Sequence, residues 1–377
     1  MRVLLTGATG FVGQHILWRM LQGSAAGDTV YCLVRGDSRD DAQRRLTRLL
    51  DHQQLPQSAR ERCHLLWGDI TNTNLVFDGK DATPMPDDID RVVHCAATVK
   101  FNLPLPKARL INVDGTRNVV RCAERQSRLQ RFDYIGTAFV AGTARGLISE
   151  ELLHEPPGFH NSYEQTKWEA EDLVRQLRSN LPISVFRPSI VVGDSTSGYT
   201  ANFRVLYAPL KLLAQGVALF APADPRGIVD VVPINYVVDA FMALSSSTGS
   251  IGKCYHLAAG PEGQNQIEEL AAMAADFFGV RRPWLVGPQV WSPILRPLAY
   301  VFYFALWGER RRRLESVSNY FPYFAYRASF DTSATQRDLD GSGIAAPSVT
   351  SYFRTILQYC VDTNWGEKTR PGADMRS

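Results

Sequence analysis

The sequence predicts an α/β protein, a doubly wound parallel sheet joined to a smaller, mostly helical lobe. Three observations carry that prediction. Short β-rich runs alternate with helical patterns through the first half of the chain, the rhythm of parallel strands linked by crossover helices. A glycine-rich turn, Gly7-Ala8-Thr9-Gly10-Phe11-Val12-Gly13, joins the first run to the first helical pattern. After Gly193 the alternation loosens into an aromatic, irregular stretch.

The elements follow in order. Val3-Leu4-Leu5 leads into a helix over Phe11–Leu21, and Val30–Val34 into the charged helical stretch Ser38–Leu50. His64–Trp67, Arg91–His94, Phe132–Ile135 and Ile183–Phe186 continue the strands, with helices over Leu105–Gln126 and Ser162–Ser179. Thr196–Pro225 is a mixed insertion. Strand-like runs return at Val229–Pro233 and Cys254–Leu257, around a helix over Asn235–Ser245. Residues 1–190, completed by 229–260, are read as a dinucleotide-binding core. Residues 191–228 and 261–377 are read as a substrate-binding lobe.

Composition narrows the class. A chain of 377 residues, 45% hydrophobic and 21% charged, is ordinary globular protein with room for a large core and a second lobe. A net charge of +3 is too small to make nucleic acid the expected partner. The six cysteines (Cys32, Cys63, Cys95, Cys122, Cys254 and Cys360) contain no C-x-x-C pair, which predicts reduced thiols and no metal site. The first strand starts directly after Met1, leaving no room for a secretory signal. The apolar run Leu298–Trp307 falls short of the about 20 residues that span a bilayer. A cytoplasmic protein is expected.

The glycine turn sits after a strand and opens a helix, where a pyrophosphate binds. Gly7, Gly10 and Gly13 let the backbone turn tightly and approach the phosphates, while Thr9, Phe11 and Val12 begin the helix whose N–H groups face the anion. At the end of the second strand an acidic residue would bond a ribose 2′-hydroxyl. Arg35 stands there instead, and a guanidinium matches a 2′-phosphate, so NADPH is the expected cofactor. Arg44 or Arg45 can add a second cation; the competing reading is a solvated strand-end arginine. Asp69 and Ile70 end the third strand, where the carboxylate can accept from an adenine amino group. Ala96 and Ala97, after the fourth, leave room for the cofactor to pass over the strand ends.

Tyr163 and Lys167 are spaced i, i+4, on one face of a helix. A phenol is a poor acid–base group at neutral pH unless a cation stabilises its charged form, which Lys167 can do. Thr137 follows the fifth strand, where its hydroxyl can hold a carbonyl oxygen. Asn112 lies inside a predicted helix and reads either as a water-holding relay residue or as a structural polar contact.

Together these residues resemble the extended short-chain dehydrogenase/reductase superfamily, over roughly Met1 to Gly260. The resemblance implies a Rossmann core with Tyr163 as acid–base, Lys167 as its partner at the nicotinamide ribose, Thr137 as hydroxyl donor and Asn112 as relay. It puts Pro188 and Ile190 near the nicotinamide. His94 and Cys95 depart from the usual residues of the fourth strand end. A narrower resemblance, to the thioester-reductase and fatty acyl-CoA reductase branch close to the mupirocin-pathway reductase-like group, rests on Ser162–Glu171, Arg187–Ser195 and Val231–Ala240. It implies reduction of an acyl thioester brought by CoA or by a separate carrier protein. The alternatives are a ketone or hydroxy-group oxidoreductase, a sugar-type epimerase, or a dinucleotide-sensing protein without catalysis. Pro283–Trp307 is rich in aromatic residues, and Arg310 to Arg313 follow it. This reads either as a buried helix with a solvated charge run or as an apolar acyl-binding or membrane-surface patch with a rim attracting anions.

Overall fold

The β-rich runs of the first half become strands β1 (Arg2–Thr6), β2 (Thr29–Val34), β3 (Cys63–Trp67), β4 (Arg91–His94) and β5 (Arg131–Ile135). Later strands are β6 (Gly146–Ile148), β7 (Ile183–Pro188), β8 (Ile190–Val192), β9 (Phe220–Pro222), β10 (Ile228–Val229), β11 (Val231–Pro233) and β12 (Cys254–Leu257). Three short ones follow, β13 (Asn265–Gln266), β14 (Trp284–Val286) and β15 (Ala328–Phe330). The computed structural model describes residues 1–23, 28–80, 82–151, 154–203, 205–216, 220–287 and 321–367. Most of Pro283–Trp307 and all of Arg310–Arg313 lie outside the described residues.

Seven of these strands form one parallel sheet in the order β12-β7-β5-β4-β1-β2-β3. Strand order reverses between β1 and β4, and the crevice at such a reversal is where open α/β sheets bind ligands. β4, β5, β7 and β12 are buried at every position, as expected of strands covered on both faces. The helices bearing on the site are α1 (Phe11–Gln22), α2 (Arg39–His52), α3 (Gln57–Arg60), α4 (Leu105–Arg109), α5 (Gly115–Glu124) and α6 (Ser162–Gln176). Ser38 caps α2 by accepting from the Asp41 amide, and Asn161 caps α6 by accepting from Glu164, which explains why the helices begin there.

Two elements differ from the sequence expectation. The helix over Leu105–Gln126 is interrupted by a π turn at Leu110–Asp114, where the Gly115 amide reaches back five residues to the Leu110 carbonyl. A side chain at Gly115 would crowd Ile70, its Cβ falling 2.7 Å from the Ile70 Cδ1 atom. The run Val229–Pro233 breaks at Asp230: β10 pairs antiparallel with β13, and β11 parallel with β8. The buried Asp230 carboxylate accepts from the Ala259 and Gly260 amides, at 2.9 Å each, and that demand ends the strand.

A second apolar cluster lies beyond the sheet, built from Phe139, Ile190, Tyr207, Tyr323, Phe330 and Phe353 among others. The chain's last third is tied back to the core by β15, which pairs with β6. Glu150 reinforces the tie, accepting from the Ala334 amide at 2.6 Å and from the Thr335 hydroxyl at 2.5 Å. Among the described residues no helix is long and apolar enough to cross a membrane.

Candidate active site

The glycine turn is built for close backbone approach. Gly7 has φ +75° and a Cβ there would lie 2.6 Å from the Ala96 amide nitrogen, so only glycine suits this left-handed position. A Cβ on Gly13 would sit 2.1 Å from the Gly7 carbonyl oxygen, so turn and helix are in contact. Gly10 caps α1 with no side-chain bond, and the first turn carries no acid. No acid in the first turn competes for the N–H groups of Phe11 and Val12, while the Gly13 amide faces the Cys95 thiol, and the turn fits a dinucleotide pyrophosphate.

Arg35 is exposed at the β2 end, 3.7 Å from the Asp69 carboxylate. Asp69 also accepts from the Thr71 amide (2.8 Å) and hydroxyl (2.9 Å). Arg45 donates to the Arg35 carbonyl at 2.6 Å, which sets both arginines at the same strand end. Ile70 is buried, and its carbonyl accepts from Asn118 at 2.9 Å. Ala96 bonds the Thr6 hydroxyl through its amide at 3.3 Å, and Ala97 is half-buried beside it.

Tyr163 and Lys167 lie on the inward face of α6. The Tyr163 phenol lies close to the Thr137 side chain, whose hydroxyl also reaches the Pro188 carbonyl at 3.4 Å. Ile190, two residues beyond, is buried in the second cluster. Burial pushes the phenol up to about 12, against the opposing effect of Thr137. The Lys167 ammonium donates to the Ile135 carbonyl at 2.9 Å and stands 4.4 Å from the Tyr134 ring centre. Burial draws it down to about 8, against the pull of Cys95 and Glu171. Burial also pushes the neighbouring Cys95 thiol up to about 11, where it is no nucleophile at neutral pH.

Asn112, in the π turn, has protein partners. Its amide donates to Thr166 Oγ1 (2.9 Å) and to the Thr98 carbonyl (3.2 Å), and its oxygen accepts from the Thr98 amide (2.8 Å). It thus fastens the loop after β4 to α6. Ser162 adds a second bond to that loop, donating to the Leu103 carbonyl at 2.7 Å.

Two buried networks were not foreseen from the sequence. His94 joins Thr6 (2.7 Å) to Thr116 (2.9 Å), and Thr116 donates onward to the Asn112 carbonyl at 2.6 Å. Burial and the Lys167 charge drive His94 down to about 3, so the ring is neutral. Thr116 has spent its proton on Asn112, which puts the imidazole proton on Nε2 and leaves Nδ1 to accept from Thr6. In the second network Glu171 takes the fully buried Arg187 through Nε at 3.0 and 3.1 Å, and Arg187 reaches His256 at 3.2 Å. Glu171 stands i+4 from Lys167, so the spacing Tyr163, Lys167, Glu171 was a legible signal of three ionisable groups along one helix face.

The parallel sheet, the open glycine turn at its reversal and the hydroxyl pair beside Lys167 make this an NAD(P)-binding protein of the extended short-chain dehydrogenase/reductase fold. Known proteins narrow the class. The pattern of the male sterility protein family, an NAD-binding family, matches residues 5–241, and the chain belongs to that family. It is 28% identical over 284 residues to fatty acyl-CoA reductase 1 of Xenopus laevis, covering 66% of this chain and 55% of that one. It is 27% identical over 275 residues to the Drosophila melanogaster fatty acyl-CoA reductase wat, covering 64% and 53%. The chain thus spans about half the length of these relatives. Among solved structures, the terminal R domain of the myxalamid PKS-NRPS pathway is 28% identical with a TM-score of 0.79, over 97% of this chain and 91% of that one. UDP-glucuronic acid 4-epimerase from Bacillus cereus in complex with NAD shares the fold, at 19% identity and a TM-score of 0.67, over 97% of this chain and 98% of that one.

Proposed function

We propose that this chain is an NADPH-dependent reductase of acyl thioesters, with Tyr163, Thr137 and Lys167 at the reacting carbonyl. The observation that carries the reading is the Tyr163–Thr137 hydroxyl pair, set where β5 and β7 end and beside a buried lysine. The relatedness to fatty acyl-CoA reductases and to the myxalamid R domain supports the thioester as substrate, carried by CoA or by a separate carrier protein. Residues 1–190 with 229–260 serve as the cofactor core and the rest as the substrate lobe.

The glycine turn, with Thr9, Phe11, Val12 and Gly13, holds the pyrophosphate. Arg35, aided by Arg45, takes the 2′-phosphate in place of its contact with Asp69, and Asp69 and Ile70 flank the adenine. Ala96, Ala97, Pro188 and Ile190 border the nicotinamide. Bound there, the dinucleotide supplies hydride to the carbonyl carbon. Tyr163 and Thr137 donate to the carbonyl oxygen as its charge grows. The Tyr163 proton passes to that oxygen; as the C–S bond breaks the same proton moves to the departing sulfur, so aldehyde and free thiol leave and Tyr163 takes a new proton from solvent; a second hydride and proton would give alcohol. Lys167 keeps a positive charge beside the phenolate so formed. Asn112 holds the loop over α6 and acts as a positioning residue.

NADPH oxidation measured with acyl-CoA and carrier-bound thioesters, free aldehydes, ketones and a UDP-sugar tests the reading. Thioester-dependent oxidation that releases thiol is expected. Turnover of ketones alone, or interconversion of the sugar, overturns it.

A further inference from the structure

We infer that Tyr323, with Phe101 and Phe139, forms an aromatic wall against the carbons next to the reacting carbonyl and selects acyl groups unbranched at that position. The inference rests on the proposed thioester reductase reading and adds which acyl shapes the site admits.

Four rings make a continuous path from the proton donor to the carbonyl-binding turn. Phe101 lies 5.4 Å from the Tyr163 ring, and Tyr323 stacks on Phe101 at 5.2 Å with the planes 26° apart. Phe139 meets Tyr323 edge to face at 4.9 Å. Phe139 returns to the chemistry directly, because its amide donates to Thr137 Oγ1 at 3.3 Å. The hydroxyls that hold the oxygen are thus flanked on one side by apolar ring surface.

Tyr323 does not offer its own hydroxyl to a substrate. That group accepts from Asn161 Nδ2 at 2.9 Å, and burial together with the nearby Glu164 carboxylate keeps its proton in place. Glu164 is fully buried and takes the His160 amide at 2.8 Å and its ring Nδ1 at 3.0 Å. Asn161, the cap of α6, and Glu164 in its first turn stand on either side of Tyr163 in the chain, so the anchor fixes the ring's tilt relative to the proton donor. With its polar tip satisfied inside the protein, the ring contributes shape and apolar surface.

Phe101, Phe139 and Tyr163 come from the core, but Tyr323 belongs to the turn Phe321–Ala325 in the last third of the chain. That segment therefore completes the site. A methyl group beside the carbonyl would press on rings already packed together. An added methylene in an apolar pocket is discriminated by roughly 10–200-fold, which sets the expected scale.

The experiment measures kcat/KM on the full chain with NADPH for matched straight and 2-methyl-branched substrates, as acyl-CoA and as free aldehyde. The native protein should favour the straight partner at least about tenfold. Tyr323→Ala should erase most of that ratio, whereas Tyr323→Phe, which keeps the ring, should retain it. A ratio unchanged in Tyr323→Ala overturns the inference. If Tyr323→Ala loses its cooperative thermal melt, Phe101→Ala in the loop after β4 carries the same comparison, and an unchanged ratio there overturns it equally. Native turnover of aldehydes but of no thioester would overturn the thioester reading while the aldehyde ratio still decides the wall. A chain inert towards every carbonyl overturns both.

Discussion

The two ends of the site are built on opposite principles. The proposed cofactor end is local and open: seven consecutive residues make the glycine turn, and Arg35, 59% exposed in its side chain, reaches out from a strand end. The proposed catalytic end is assembled and buried. Thr137, Tyr163, Lys167, Phe101 and Tyr323 come from four separate stretches of chain, and Lys167 is only 4% exposed. At the open end, charge acts through solvent and backbone shape decides binding. At the buried end the same kinds of group are shifted far from their ordinary behaviour, because withdrawing a charge from water is costly and each one needs a placed partner.

The sharpest way to separate the ends is Tyr163→Phe. Removing the phenol proton should cut turnover by roughly 10²–10⁴-fold, the span of acid–base catalysis, and leave NADPH affinity unchanged by fluorescence titration. A similar loss in both would mean that the two ends are not independent.

Gly13→Ala is the counterpart at the open end. Its Cβ would fall 2.1 Å from the Gly7 carbonyl, forcing turn and helix apart. An overpacking cost of about 1–3 kcal/mol should weaken the cofactor by up to about a hundredfold. The rate at saturating NADPH should hold, and unchanged affinity would remove the turn from the cofactor site.

Arg35→Asp tests charge alone. NADPH should lose about tenfold relative to NADH, about 1.4 kcal/mol, and the native preference for NADPH should shrink as salt rises, since the group is exposed. Equal native affinities for the two cofactors would refute the role of Arg35.

The smallest effect separates the ends by pH. Lys167 is lowered from its ordinary 10.5 to about 8 by burial, so it is charged below that pH and neutral above it. If the charge supports the phenolate, kcat/KM falls above pH about 8. Stability moves the other way. The cost of the buried charge is complete below pH about 8 and disappears as pH rises towards 10.5, because there the unfolded chain binds the extra proton. The stability of the native protein relative to Lys167→Met should therefore improve between pH 8 and 10 in thermal melts. A flat difference would mean that Lys167 stays protonated up to pH 10 in the folded protein, with its pKa not drawn down by burial.

What could be read from the amino acids follows from range. Strand alternation, the glycine turn, Arg35 at a strand end and the i, i+4 pair Tyr163 and Lys167 each depend on neighbours within a few residues, and there the sequence determined conformation directly. The π turn at Leu110–Asp114 was not visible: it lies where Gly115 passes Ile70, a Cβ there falling 2.7 Å from Ile70 Cδ1, and that approach is made across the fold rather than along the helix. Asn112 reads equally well as a relay or a structural contact from sequence alone, and only the fold shows that its amide bonds Thr98 and Thr166. Tyr323 carried no signal at all. It stands 160 residues from Tyr163 in the chain, and only packing of the last third against the core brings the two within one aromatic cluster. The direction of the Lys167 ammonium, towards Ile135 rather than the phenol, was likewise set by tertiary structure. A buried cation goes to the nearest acceptor that replaces its lost water, and which acceptor that is depends on the strand folded beneath it.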